Sequence, residues 1–274
     1  MPPTGARGPI ELVVAGAAGR MGGRLVALAR DASDLRVVGA FVRAGHAAIG
    51  RDAGEVAGVG PIGIAVVADP APLLTRDRVL VEFTTPEATV AHVRLAARQG
   101  ARAVVGTTGL SPAQVAELAD LGRETAIVFS PNTSVGVNLA FRVLAVMARA
   151  LGEAYDVEIT EIHHRLKKDA PSGTATKMAE VIAEALGRRL DEVGVYGRHG
   201  LVGQRGAKEI GVHALRGGDI AGEHTVVFST LGERLELTHR AHSRDTFAHG
   251  ALRAARWVRT AAPGLHSMHD VLGL

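Results

Sequence analysis

The chain contains no cysteine. Disulfides, thiolate nucleophiles and thiolate metal sites are therefore excluded. Aromatic residues make up only 3% of it, too few for a surface that stacks nucleic-acid bases. Neither sign of charge dominates: 31 basic and 28 acidic side chains leave a formal charge of +3. That surplus is small and scattered, so no nucleic-acid partner is expected, whereas a few converging cations would suit an acidic small molecule. The opening MPPTGARGPI has no apolar core of a signal peptide. No run is expected to be long and apolar enough to cross a bilayer, which makes the cytoplasm the default compartment. Residues 1–8 are expected to form a mobile tail.

What is present is a 274-residue chain with 47% hydrophobic residues, enough for one or two domains with sizeable cores. Its first half alternates short aliphatic runs with amphipathic segments. Strands are expected at 11–15, 36–42, 64–67, 79–83, 103–105 and 126–129, and helices at 20–30, 86–99 and 112–121. Such alternation predicts a doubly wound, Rossmann-like parallel sheet with helices on both faces. The glycine-rich stretch 45–63 is expected to be a long loop. After Pro131 the texture changes. A long apolar helix is predicted over 135–151, then strands near 157–162, 208–214, 223–230 and 234–240, joined by turns as short as 231–233. These indicate an α+β domain with a mixed, largely antiparallel sheet. A last helix, 246–259, could return to the first domain. The expected division is 1–130, completed by 245–274, and 131–244.

The sequence VVAGAAGRMGG places Gly16, Gly19 and Gly22 after an apolar strand and at the start of a helix. Glycines there let the backbone turn tightly and approach a pyrophosphate at the helix N-terminus. The spacing departs from GxGxxG, and the plain alternative is a tight turn with no ligand. Gly16, Ala18, Gly19, Arg20 and Met21 are the candidate cofactor contacts in this turn. At the end of the second strand no acid stands to bind ribose hydroxyls. Arg43 follows Val42 instead and can pair with a 2′-phosphate, a preference for NADPH over NADH. A solvated loop charge is the alternative for Arg43. Two further loops sit at predicted strand ends, where doubly wound sheets bind ligands: Phe83, Thr84 and Thr85, and Gly106, Thr107, Thr108 and Gly109.

The stretch 158–175, EITEIHHRLKKDAPSGTA, carries the densest chemistry. Alternation of Val157, Ile159 and Ile162 predicts a strand ending at His163 and His164. A lysine-rich loop with Lys167, Lys168 and Asp169 follows, and Ser172 is a candidate N-cap for the next helix. Gly173 and Thr174 then offer backbone N–H groups and a hydroxyl to a carboxylate. Strand neighbours point to opposite faces, so the two histidines are poorly placed to chelate one metal ion, and no metal is expected. A proton donor, cations and a helix start together suit a small anion that must gain a proton.

This block, with the glycine turn near Gly16 and RGGDIAGEHT at 216–225, resembles the signature of the 4-hydroxy-tetrahydrodipicolinate reductase family, long called dihydrodipicolinate reductases. The resemblance covers nearly the whole chain. It implies NAD(P)H-dependent reduction of a cyclic imine dicarboxylate in lysine and diaminopimelate synthesis. It makes His163 the candidate general acid and His164, Ser172, Gly173 and Thr174 substrate contacts. Lys167 is assigned to the substrate as a cation, and as the alternative proton donor to His163. It also implies that GTTG at 106–109 lies by the nicotinamide and that the protein is a homotetramer. Val42 stands where the family often has an acid, and Thr85 where some members have an arginine. Two other classes compete: another two-domain dehydrogenase, such as one acting on aspartate, and a nucleotide-sensing protein without catalysis. The first leaves HHRLKKDAPSGTA unexplained. The second would be expected to lose His163 or Lys167.

Overall fold

Aliphatic runs that are buried on both faces become strands between amphipathic helices. The computed structural model describes residues 8–274, so the expected tail, apart from Gly8, lies outside the described residues. In chain order the first elements are β1 (Ile10–Ala15), α1 (Arg20–Arg30), β2 (Leu35–Phe41), α2 (Ala53–Val56), β3 (Val66–Val67), β4 (Arg78–Glu82), α3 (Pro86–Arg98), β5 (Arg102–Val105), α4 (Pro112–Leu121) and β6 (Ala126–Phe129). Next come α5 (Val135–Leu151), β7 (Asp156–His163), α6 (Gly173–Ala185), α7 (Leu190–Val193), β8 (Gly194–Tyr196), β9 (Ile210–Arg216), β10 (Gly222–Thr230) and β11 (Glu233–Ala241). The chain ends with α8 (Asp245–Val258), β12 (Gly264–His266) and α9 (Met268–Leu272). Two compact units result. One runs to Val135 and takes back Asp245–Gly273, and the other is Gly136–Arg244.

The first unit is a seven-stranded parallel sheet in the order β12-β6-β5-β4-β1-β2-β3. Successive residues of β1 enter different cores: Leu12 and Val14 join Leu25 of α1 and Ala251 of α8, while Val13 and Ala15 join Val93 of α3 and Leu118 of α4. All four β1 residues are inaccessible or nearly so, which explains the continuous apolar run. Helix starts follow their caps. Thr85 precedes Pro86 and accepts from Ala88 N–H, and Ser111 forms a capping box with Gln114. The strand order reverses between β1 and β4, the switch point where such sheets bind ligands.

The glycine-rich stretch is more ordered than a plain loop. Asp52 caps α2, and its carboxylate accepts from the backbone N–H groups of Gly54, Glu55, Ile62, Gly63 and Ile64.

The second unit is a five-stranded sheet in the order β11-β10-β7-β9-β8. Antiparallel ladders join β11, β10 and β7, and parallel ladders add β9 and β8. Val157, Ile159, Val212, Val226 and Phe228 turn to one face and pack on Phe141 and Leu144 of α5 and Met178 and Ile182 of α6.

One expectation is corrected here. Val135–Ala154 is long and apolar enough, by length and composition, to cross a membrane. Arg142 and Arg149 interrupt the run, which hides it from a search for unbroken apolar sequence. Its inward side, Val137, Ala140, Phe141, Leu144 and Ala148, is buried in the core of the second unit.

Candidate active site

In the first unit, β1 delivers the chain to Gly16, whose φ of +61° is open to glycine at little cost. Gly19 N donates to Gly16 O at 2.7 Å, closing the turn, and Gly19 is the N-cap of α1. A Cβ on Gly22 would lie 2.2 Å from Gly16 O and 2.7 Å from Ala17 Cα, so the helix packs on the turn only because residue 22 has no side chain. No side chain caps α1, and its first turn holds no acid. An eleven-residue helix thus offers free N–H groups and a positive dipole end to an anion. That is a cradle that fits a dinucleotide pyrophosphate.

Around it, Ala18 and Met21 are half-buried and Arg20 is exposed. Val42 is buried, and Arg43, the next residue, is exposed beyond β2. The loop after β4 reaches this turn: a Cβ on Gly16 would lie 2.9 Å from Thr84 Cγ2. Glu82, fully buried, accepts from Thr84 N at 2.9 Å and lies 2.7 Å from His92 Nδ1. The Phe83 ring covers Gly106, where a Cβ would collide with it at 2.1 Å. The Thr107 hydroxyl is turned inward and accepts from Thr89 at 2.7 Å, whereas Thr108 is exposed. Of this loop, then, Thr107 presents backbone rather than side chain.

In the second unit, β7 ends at His163, which is only 9% exposed. Ser172 caps α6 as expected, accepting from Ala175 N at 3.2 Å. A Cβ on Gly173 would meet nothing within 4 Å, so the space over this helix start is open. Thr174 is half-buried beside it. His164 follows the strand and is held through its backbone, its N–H donating to Ile220 O at 2.8 Å. Lys167 is 20% exposed and its Nζ donates to the Asp169 carboxylate at 2.8 and 3.0 Å. Asp169 therefore holds the lysine and the loop. Lys168 is exposed. Arg240 bonds Glu223 across the β10–β11 pair at 3.0 Å.

Three residues that sequence reasoning passed over complete the cluster. Glu161 is fully buried beneath His163, with its Oε2 2.6 Å from His163 Nδ1. Arg216 grips the same carboxylate at 2.7 and 2.9 Å. His224 Nε2 lies 2.9 Å from Ser172 Oγ, and its ring meets the His163 ring edge-on at 5.2 Å. The signal was the period of two. Glu161 and His163 share a strand face with Ile159, and His224 shares one with Val226. A polar residue in register with a core face is a buried one.

Burial sets the charges. It drives the Glu161 carboxyl upward, but hydrogen bonds from Arg216, His163 and Ser172 N–H outweigh it and leave the group below its ordinary value. Burial likewise lowers His163, against the opposing pull of Glu161. His224 is pushed down to about 3, chiefly by burial.

Comparison with known proteins matches this arrangement along its length. The N-terminal part of dihydrodipicolinate reductase matches residues 10–133, and its C-terminal part matches residues 136–272. The chain belongs to the dihydrodipicolinate reductase family. It is 50% identical over 265 residues to 4-hydroxy-tetrahydrodipicolinate reductase of Citrifermentans bemidjiense, spanning 97% of this chain and 99% of that one. Against the enzyme of the same name from Myxococcus xanthus it is 53% identical over 266 residues, 96% of this chain and 98% of the relative. Among solved structures, dipicolinate-bound dihydrodipicolinate reductase from Paenisporosarcina sp. TG-14 superposes with a TM-score of 0.73 at 26% identity, covering 96% and 98% of the two chains. Membership makes the first unit a pyridine-nucleotide-binding domain and the protein an oxidoreductase.

Proposed function

We propose that the chain reduces 4-hydroxy-tetrahydrodipicolinate, by way of its dehydrated form, to tetrahydrodipicolinate, a lysine and diaminopimelate precursor. The observation that carries this is the open N-terminus of α6 beside a buried histidine and a lysine, the pairing an imine dicarboxylate needs. When bound, the nicotinamide cofactor supplies a hydride to one end of the conjugated system. The other end takes a proton, so one hydride and one proton together saturate one double bond. His163 is the assigned donor, with Lys167 as the alternative. Gly173 and Thr174 hold one carboxylate through the helix start, and Lys167 and His164 hold the other. Tight holding of both carboxylates brings orientation and charge stabilisation. Neither an aspartate dehydrogenase nor a sensor without catalysis needs this loop.

NADPH is the assigned preference, because Arg43 stands exposed after β2 where no acid repels a phosphate. Arg43→Ala is expected to raise the KM for NADPH about tenfold, about 1.4 kcal/mol, with a smaller change for NADH. Steady-state kinetics with no change for NADPH would remove the assignment. Gly16, Ala18, Gly19, Arg20 and Met21 are assigned to the pyrophosphate turn. Phe83, Thr84, Gly106, Thr107 and Thr108 are assigned to the nicotinamide side. We assign the working form to a cytoplasmic homotetramer, joined through the sheet face of the second unit that carries Leu215, 45% exposed.

The dicarboxylate site is tested with pyridine-2,6-dicarboxylate, which should compete with substrate. Deleting one of its carboxylates should weaken binding by about 1.5–3 kcal/mol, the scale of a charged hydrogen bond. Thr174→Val should weaken inhibition and leave the melting temperature near normal, since Ser172 still caps α6. Equal binding of mono-acid and di-acid in calorimetry would reduce this stretch to a helix cap.

A further inference from the structure

We propose that Glu161 is the positioning residue of the proton donor, and that Arg216 holds it in place. This rests on the reading of His163 as the acid. The Glu161 carboxylate is inaccessible, and four donors converge on its two oxygens: His163 Nδ1, Arg216 Nη1 and Nη2, and Ser172 N. An ionised carboxylate only accepts, so His163 Nδ1 carries a hydrogen and donates it. Any exchangeable second proton of the ring therefore sits on Nε2. That nitrogen lies over Gly222, where a Cβ would come within 2.9 Å of it. Glycine at 222 leaves room for the Nε2 edge of the imidazole, and the bond to Glu161 fixes the tautomer and the ring that carries it.

Arg216 extends the same restraint to the loop. Its Nη2 also donates to Asp169 O at 2.6 Å, and Asp169 in turn holds Lys167. Residue 216 thus joins the strand end that carries His163 to the loop that carries the lysine. The backbone repeats the link: Gly217 N donates to His163 O at 2.9 Å and His164 N to Ile220 O at 2.8 Å. This is what the RGGDIAGEHT segment does for the site, a role its sequence did not disclose.

Burial is the largest influence on the charge state of His163 and disfavours its protonated form; Glu161 favours that form, Lys167 and Arg216 oppose it, and the His224 ring packs against it from β10. Removing the carboxylate charge leaves only opponents. In Glu161→Gln the pH limb belonging to protonated His163 should therefore move to lower pH, and a merely structural role would not move it.

The test compares wild type, Glu161→Gln, Arg216→Lys, His163→Ala and the Glu161→Gln/His163→Ala double variant. Each is measured for kcat and KM between about pH 5 and 9, with NADPH affinity and thermal unfolding as controls. Glu161→Gln should lower kcat at least about tenfold, the scale of losing the carboxylate that orients a working histidine, with NADPH affinity unchanged and the pH limb displaced downward. The double variant should be no slower than His163→Ala alone, because both changes remove one unit. Arg216→Lys keeps the charge and loses the bidentate grip, so it should show the same loss in milder form. It decides the matter should Glu161→Gln not fold. Wild-type turnover and an unmoved limb in Glu161→Gln, or multiplicative losses in the double variant, would overturn the proposal. Full activity of His163→Ala would instead overturn the assignment of the acid beneath it.

Discussion

Replacing His163 by alanine is expected to lower turnover about a hundredfold or more, the usual effect of losing a positioned acid. Lys167→Ala should lower it on the same scale and raise the substrate KM as well, because a carboxylate loses its cation. NADPH affinity should barely change in either variant, since the glycine turn after β1 belongs to the other unit. The losses should persist at saturating substrate, which separates chemistry from binding. Near wild-type turnover in both variants would show that neither side chain donates the proton.

The second large effect concerns acid stability. His224 is held at about 3 in the folded protein against an ordinary 6.5. Above about pH 6.5 the ring is neutral in both states and costs nothing. As the pH falls below that, the unfolded chain takes up a proton that the folded ring refuses until about 3, so stability drains away. Between pH 7 and pH 5 this one ring should withdraw about 2 kcal/mol. His163 and His239, also lowered by burial, act in the same direction. Glu158, whose pairing with Arg198 and Arg205 outweighs burial and brings it to about 2, adds its share only below its ordinary 4.5. His224→Gln should therefore show a flatter loss of unfolding free energy from pH 7 to 5 than wild type. Parallel losses in the two proteins, measured by urea unfolding, would refute the assignment.

Much of the fold could be read from residues that obey one local rule. The aliphatic runs of β1, β4 and β5 announce strands buried on both faces. α1 spans Arg20–Arg30 as predicted, because the glycine turn fixes its start. Thr85-Pro86 and Ser111-Pro112 mark the next two starts through capping. What escaped was short. β8, β12 and α7 are three or four residues each, below the length at which a period shows. The strand expected from Lys208 begins instead at Ile210, since Glu209 is drawn to Arg198 and turned into the preceding loop.

The site was legible in part for the same reason. His163, Lys167 and the Ser172 cap lie in one contiguous stretch with a recognisable order. Glu161 lies in it too, and its register with Ile159 marks it as buried, but the stretch alone does not show what the carboxylate is for. Its importance comes from Arg216, 55 residues away and brought alongside only by the β7–β9 pairing. His224 reaches Ser172 across 52 residues, through the β10–β7 ladder. Pairing between distant strands is what single-sequence periodicity does not specify.

The most direct test is oxidation of NADPH by the purified protein with freshly generated 4-hydroxy-tetrahydrodipicolinate, followed spectrophotometrically and run beside NADH and an aspartate control. The geometry of the second unit predicts cofactor oxidation that requires the dicarboxylate, is inhibited by pyridine-2,6-dicarboxylate and is absent with aspartate. A folded protein that binds NADPH yet leaves it unoxidised with this substrate would contradict that reading.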